Sequence, residues 1–265
     1  MTETPTKKAP GALFDLSDRV VIVTGGGKGI GKVYSEQLAA VGARVVIAEI
    51  DAAAGEAAAA GIAAAGGQAL ALATDISDED QTRRLAAAAV DAYGRIDGLV
   101  NNASLMSSLP RRSWEEIPVE EWDRVMAVDL RGLFLMCRAV VPAMRKQRSG
   151  RIVNLSSTRV LEGTPNRLHY TTAKAGVIGF TRALAHEIGE FGIGVNTVSP
   201  GLTLSETQLA SSSQNYLASD YNLQRAFRRA QVPEDLVGTV MFLLSDASAF
   251  ITGQWINVDG GKTHH

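Results

Sequence analysis

Cysteine is almost missing from this chain. Cys137 is the single one among 265 residues, so no disulfide can form within it. The core must close without covalent staples, which a chain of this length can do. Set between Met136 and Arg138 in an apolar helical stretch, Cys137 reads as core filling rather than as a nucleophile. Long apolar runs are missing too: none approaches the ~18 residues of a membrane span. The opening MTETPTKKAPG has an acid, two prolines and no apolar segment, which argues against a secretory signal. Neither sign of charge dominates. The 26 Lys and Arg against 28 Asp and Glu leave a net charge of −2, without the basic excess that nucleic-acid binding requires. His186, His264 and His265 have no ligand spacing with Cys or acids, so no metal is expected. The expectation is a cytoplasmic protein with no nucleic-acid or membrane partner. It has a flexible leader over residues 1–14 and one domain over 15–265.

What is present is a regular alternation. Short β-branched runs, VVIVT (20–24), RVVIAE (44–49), IDGLVNN (96–102), RIVNLSS (151–157), GVNTVS (194–199) and WINV (255–258), joined by QALALA (68–73), read as buried strands. Between them lie helical patterns over 29–41, 51–65, 78–93, 119–146, 170–191 and 233–245. Strands alternating with helices of this length predict a parallel sheet covered on both faces, an α/β fold.

The segment TGGGKGIG, Thr24 to Gly31, follows a predicted strand and opens a predicted helix. In that setting glycines let the backbone approach a pyrophosphate, and the helix N-terminus offers unpaired N–H groups. Glu49 ends the second strand 18 residues after Gly31, where a carboxylate can accept hydrogen bonds from ribose hydroxyls. It would repel a 2′-phosphate, which favours NAD over NADP. Lys28, a cation in the glycine turn, argues the other way.

Tyr170 and Lys174 stand at i and i+4 on one predicted helix face, so phenol and ammonium can converge. A tyrosine base at neutral pH needs its pKa lowered by ~3 units, about 4 kcal/mol of phenolate stabilisation. An ammonium and a cationic nicotinamide together could supply it. Ser157 lies 13 residues earlier at a strand end, placed to hydrogen-bond a carbonyl oxygen as charge develops on it. His169, beside Tyr170, is expected to face elsewhere.

These motifs, with Asp75 in ATDIS, NNAS at 101–104, SPG at 199–201 and the closing ITGQWINVDGG, resemble those of the short-chain dehydrogenase/reductase family. The resemblance covers about residues 15 to 261. It implies one doubly wound Rossmann domain of seven strands, assembled as a homotetramer. It makes Tyr170 the general acid/base and Ser157 the group that polarises the substrate oxygen. Lys174 binds the nicotinamide ribose and shifts the tyrosine pKa. The glycine turn (Gly25, Lys28, Gly29, Ile30, Gly31) holds the cofactor. Asp75 and Ile76 border the adenine, and Asn102 and Ala103 the adenosine ribose. Thr203 and Ser205, after Pro200 and Gly201, meet the carboxamide and phosphates. Two positions depart from the family pattern. Ser104 replaces the glycine of NNAG, and Asp129 replaces a helix asparagine that helps hold a water linking the lysine to solvent.

The function so implied is hydride transfer between NAD and a small alcohol or ketone. An NADPH-dependent 3-oxoacyl thioester reductase and a non-catalytic dinucleotide-binding scaffold are the alternatives. For the substrate, the segment after SPG carries Leu202, Leu204, Leu209, Tyr216, Leu217, Tyr221, Leu223 and Phe227. Leu105, Met106, Leu109, Val160 and Leu161 add apolar surface, and an apolar pocket predicts a hydrophobic secondary alcohol, aryl or cyclic. Arg225, Arg228 and Arg229 in the same segment leave open an anionic substrate group.

Overall fold

Strands too apolar for an exposed face form the centre of the molecule. A computed structural model describes residues 9–210 and 220–265. Its strands are β1 (Val20–Thr24), β2 (Arg44–Glu49), β3 (Gln68–Ala73), β4 (Gly98–Asn101), β5 (Gly150–Leu155), β6 (Ile193–Pro200) and β7 (Trp255–Val258). They make one seven-stranded sheet in the order β3-β2-β1-β4-β5-β6-β7, with every pair parallel. The doubly wound fold expected from the resemblance is therefore present.

Helices cover both faces. On one lie α1 (Gly29–Ala40), α2 (Ala52–Ala64) and α9 (Glu234–Leu244), whose Tyr34, Leu38, Ile62, Leu236 and Val240 bury against Val21, Val45 and Val153. On the other lie α3 (Glu79–Tyr93), α5 (Leu133–Gln147) and α7 (Leu168–Ile188), through Leu85, Met136, Val140, Val177 and Ile188. Cys137 is buried in this second core, where loss of solvation pushes its thiol up to about 12; it is filler, as expected. The strand order reverses between β1 and β4, and the loops leaving their carboxyl ends open a crevice there.

Three features differ from the sequence expectation. The helix predicted over 119–146 is α4 (Val119–Val125), a π-helical stretch (Met126–Gly132) and α5. A π turn inserts one extra residue per turn, which hydrophobic periodicity over a long window does not register. The strand expected over 151–157 ends at Leu155, so Ser156 and Ser157 lie just beyond the sheet. The expected leader has an ordered end: Pro10–Leu13 form a 3-10 turn, and the Phe14 ring lies 6.4 Å from that of Phe242.

A chain of buried polar side chains crosses the sheet beneath α7. Asn101 Nδ2 donates to Asn154 Oδ1 (2.9 Å), Asn154 Nδ2 to Thr181 Oγ1 (2.9 Å), and Thr197 Oγ1 to Thr181 Oγ1 (2.7 Å). It ties β4, β5 and β6 to the helix that carries Tyr170 and Lys174. Nothing in the strand pattern distinguishes these residues from ordinary strand polar positions.

Candidate active site

The two loops at the crevice lock each other. Thr24 Oγ1 accepts the N–H groups of Asn102 and Ala103, both at 3.0 Å. Asn102 Nδ2 donates back to the Thr24 carbonyl at 3.0 Å. Gly25 and Gly29 have φ of +63° and +54°, a region a side chain rarely adopts. A Cβ on Gly31 would stand 2.0 Å from the Gly25 carbonyl oxygen, so only glycine lets α1 start this close to the turn.

Glu49 is buried at the end of β2, and its two oxygens accept from Gly27 N (3.1 Å) and Asp51 N (3.2 Å). The carboxylate is thus fixed beside the glycine turn. The Lys28 ammonium is engaged by the Asp51 carboxylate at 2.5 Å. At the α1 N-terminus Gly29 N donates to Glu206 Oε1 (3.2 Å), from α8 (Glu206–Ala210). Neither Asp51 nor Glu206 was singled out from sequence. Each is distant in the chain from its partner, and only folding brings them together.

On the catalytic side, the Ser157 hydroxyl hydrogen-bonds the Tyr170 phenol, and Tyr170 and Lys174 are both buried. Lys174 Nζ lies 5.7 Å from the Tyr170 ring centre and donates to Leu155 O at 3.0 Å. Behind it, Asp129 Oδ2 is 3.5 Å from Nζ, accepts from Ser104 Oγ at 2.5 Å, and its Oδ1 accepts from Leu105 N at 3.0 Å. Burial raises the Tyr170 pKa above its ordinary value. Lys174 pulls it down, Asp129 pushes it up, and the Ser157 bond and Arg159 pull it down. The net direction from the protein's own groups is upward, opposite to what a tyrosine base needs, because desolvation of the phenolate exceeds the attraction of the ammonium.

A cleft of about 900 Å³ joins the two halves. Of the expected site residues it is lined by Gly25, Lys28, Gly29, Ile30, Glu49, Asp75, Ile76, Asn102, Ala103, Ser157, Tyr170, Lys174, Pro200, Gly201 and Thr203. Gly31 and Asp129 stand outside its wall, Gly31 shaping the turn and Asp129 backing Lys174. At the substrate end Leu105, Met106, Leu202 and Tyr221 supply apolar surface. Leu109 is instead packed in a small core with Val125, Tyr170 and Ala173. Leu209, Leu223 and Phe227 are exposed. Tyr216 and Leu217 lie outside the described residues.

The arginines of the segment after SPG do not line this cleft. Arg225 is buried and donates to Leu202 O (2.7 Å) and Arg229 O (3.1 Å), holding the backbone of that segment. Arg229 forms an exposed pair with Asp235, and Arg228 faces solvent. His169 is 1% exposed, with Nε2 3.2 Å from Glu121 Oε1, so it faces α4 and not the cleft. Among the described residues, no group of three or more His, Cys, Asp or Glu is placed to hold a metal ion, and no helix is long and apolar enough to cross a membrane.

Known proteins with this architecture are numerous. A family model described as enoyl-(acyl carrier protein) reductase matches residues 25–263. A protein named probable galactose dehydrogenase from Rhizobium meliloti (strain 1021) is 40% identical over 93% of this chain and 96% of its own. A 3-oxoacyl-[acyl-carrier-protein] reductase of Synechocystis is 39% identical over 93% and 97%. The crystal structure of levodione reductase superposes with a TM-score of 0.86 at 32% identity, covering 93% of this chain and 98% of that one. With the Ser157, Tyr170 and Lys174 constellation at the mouth of a Rossmann crevice, the chain belongs to the short-chain dehydrogenase/reductase family and is an oxidoreductase acting on CH–OH groups.

Proposed function

We propose that the protein moves a hydride between NAD(H) and a hydrophobic secondary alcohol or its ketone. The site fits a dinucleotide. Helix α1 presents backbone N–H groups and the positive end of its dipole at a glycine turn, and a fixed carboxylate ends β2. The nicotinamide supplies the hydride acceptor or donor. The protein's residues do the rest. Ser157 donates to the substrate oxygen as it gains charge. Tyr170 takes the alcohol proton in oxidation and gives it back in reduction. Lys174 holds the nicotinamide ribose and favours the phenolate, and the buried Asp129 sits behind Lys174.

The observation that carries NAD over NADP is the environment of Glu49. Its carboxylate is held by two backbone N–H groups at the end of β2, and Lys28, the cation of the glycine turn, is already engaged by Asp51. A second negative group placed there meets a carboxylate, with Lys28 already paired. A soluble cytoplasmic homotetramer is the assembly proposed. The test compares NAD and NADP side by side with a panel of secondary alcohols and ketones. NAD(H) is expected to give the higher kcat/KM, and Glu49→Ser to narrow the gap. Equal efficiency with both cofactors in the unmodified protein would overturn the assignment.

A further inference from the structure

The substrate end of the cleft is not uniformly apolar. Three guanidinium side chains, those of Arg111, Arg159 and Arg167, border it. Glu162, the acid of the described residues on the same wall, is already committed. Lys262 Nζ lies 3.0 Å from its Oε2, and its Oε1 accepts from the Tyr221 hydroxyl at 3.0 Å. Among the described residues, guanidinium groups thus outnumber carboxylates at this end, although the chain as a whole carries −2.

Arg159 is the best placed of the three. It opens the short helix α6 (Arg159–Glu162), two residues beyond Ser157, and its backbone N–H donates to Ser157 Oγ at 3.3 Å. Its Nη2 donates to Thr164 O (2.8 Å) and Pro165 O (2.9 Å), which steadies the head group against the loop before α7. Its Nε is buried with no hydrogen-bond partner, and no carboxylate of the described residues lies within ion-pair distance of it. Burial pushes the Arg159 pKa down. Tyr170 and Glu162 push it up, and Arg111 pushes it down again. A guanidinium does not give up its proton, so this desolvation and like-charge repulsion persist until an anion offsets them.

We propose that Arg159, with Arg111, binds an oxyanion of the substrate, a carboxylate or a phosphate, at the end of the cleft beyond Ser157 and Tyr170. The substrate is then an alcohol whose apolar body lies on Leu105, Met106 and Leu202 and whose anionic group is fixed by the guanidinium face. This rests on the oxidoreductase reading above and narrows its substrate class. The planar fork of a guanidinium matches the paired oxygens of such a group, and it orients the reacting carbon as well as adding affinity.

Inert ligands test this without turnover. Hydrocinnamate, its methyl ester and phenethyl phosphate share an apolar body and differ in charge. Each is titrated calorimetrically into the full chain, with NADH bound and without it. At least one anion is expected to bind about tenfold tighter than the ester, about 1.4 kcal/mol. Which anion wins distinguishes carboxylate from phosphate. Arg159→Gln and, independently, Arg111→Gln should shrink the preference, while Arg159→Lys, which keeps the charge, should retain part of it. Arg111 is exposed, so its variant guards against a folding defect at Arg159. Equal binding of ester and anions, no saturable binding of either anion, or a preference unchanged in both glutamine variants would overturn the proposal. The NADH titration and the oxidation of a neutral benzylic alcohol test the oxidoreductase reading separately, so the two failures are distinguishable.

Discussion

Ser104 donates a 2.5 Å hydrogen bond to the Asp129 carboxylate, so two positions read from the sequence as departures from the family pattern touch one another. The pair backs Lys174, 3.5 Å from Asp129. A glycine at 104 would leave that carboxylate oxygen without its hydroxyl partner, and the two replacements form one unit.

That contact gives the first prediction, a shift in pH dependence. Asp129 raises the Tyr170 pKa, so Asp129→Asn removes an upward push and lowers it. Oxidation requires the phenolate, and its rising limb should move to lower pH. Reduction requires the phenol, and its falling limb should move the same way. Activity at the optimum should be kept, because asparagine can still accept from Leu105 N and meet the Ser104 hydroxyl. The pH–rate profile of kcat/KM in both directions is the measurement. A fall of about 10²–10⁴, the size of a lost acid or base, would show instead that the carboxylate itself carries the proton.

Tyr170→Phe removes the transferable proton and keeps the ring. Turnover should fall by about 10²–10⁴ or more, while NADH binding, followed by fluorescence, should persist. A variant with near-normal turnover would remove Tyr170 from the mechanism.

Glu206 occupies the N-terminus of α1 by accepting from Gly29 N, where a phosphate would also seek that N–H. Its negative charge competes with the pyrophosphate. Glu206→Gln should tighten NADH binding about two- to fivefold, as expected for about 0.3–1 kcal/mol per charge at a helix end. Weaker binding in a fluorescence titration would mean that the carboxylate supports the cofactor and does not compete with it.

Thr181 accepts from both Asn154 and Thr197 in a buried layer between sheet and helix. Thr181→Val keeps the shape and leaves two buried donors unpaired, at about 1–3 kcal/mol each. Chemical denaturation should report a loss of about 2–6 kcal/mol. An unchanged midpoint would mean the two donors find other partners.

Much of the fold was legible in the sequence because it depends on local pattern. A buried parallel strand has to be short, apolar and β-branched, and a crossover helix has to repeat every 3.6 residues, so β1, β2, β3 and β7 are read at their observed limits. The glycine turn was legible for a similar reason, since positive φ and a 2.0 Å approach leave few residues to choose from. The spacing of Tyr170 and Lys174 places both on one helical face before any tertiary contact forms.

What the tertiary structure decided is what joins distant segments. Periodicity carried no sign of the π turn around Asp129, and Ser104 gave no sign that it would meet that residue, 25 positions along the chain. Local sequence presented Lys28 as a free cation, and Asp51 engages it only once β2 lies beside β1. Anion recognition, read along the chain, attached to Arg225 and Arg229, which the fold spends on Leu202 O and Asp235. Arg111, Arg159 and Arg167 reach the cleft because α6 and the loop after β4 converge over the sheet's carboxyl edge. A residue's own sequence neighbours set its backbone conformation, whereas its charge environment is set by side chains that only long-range packing delivers.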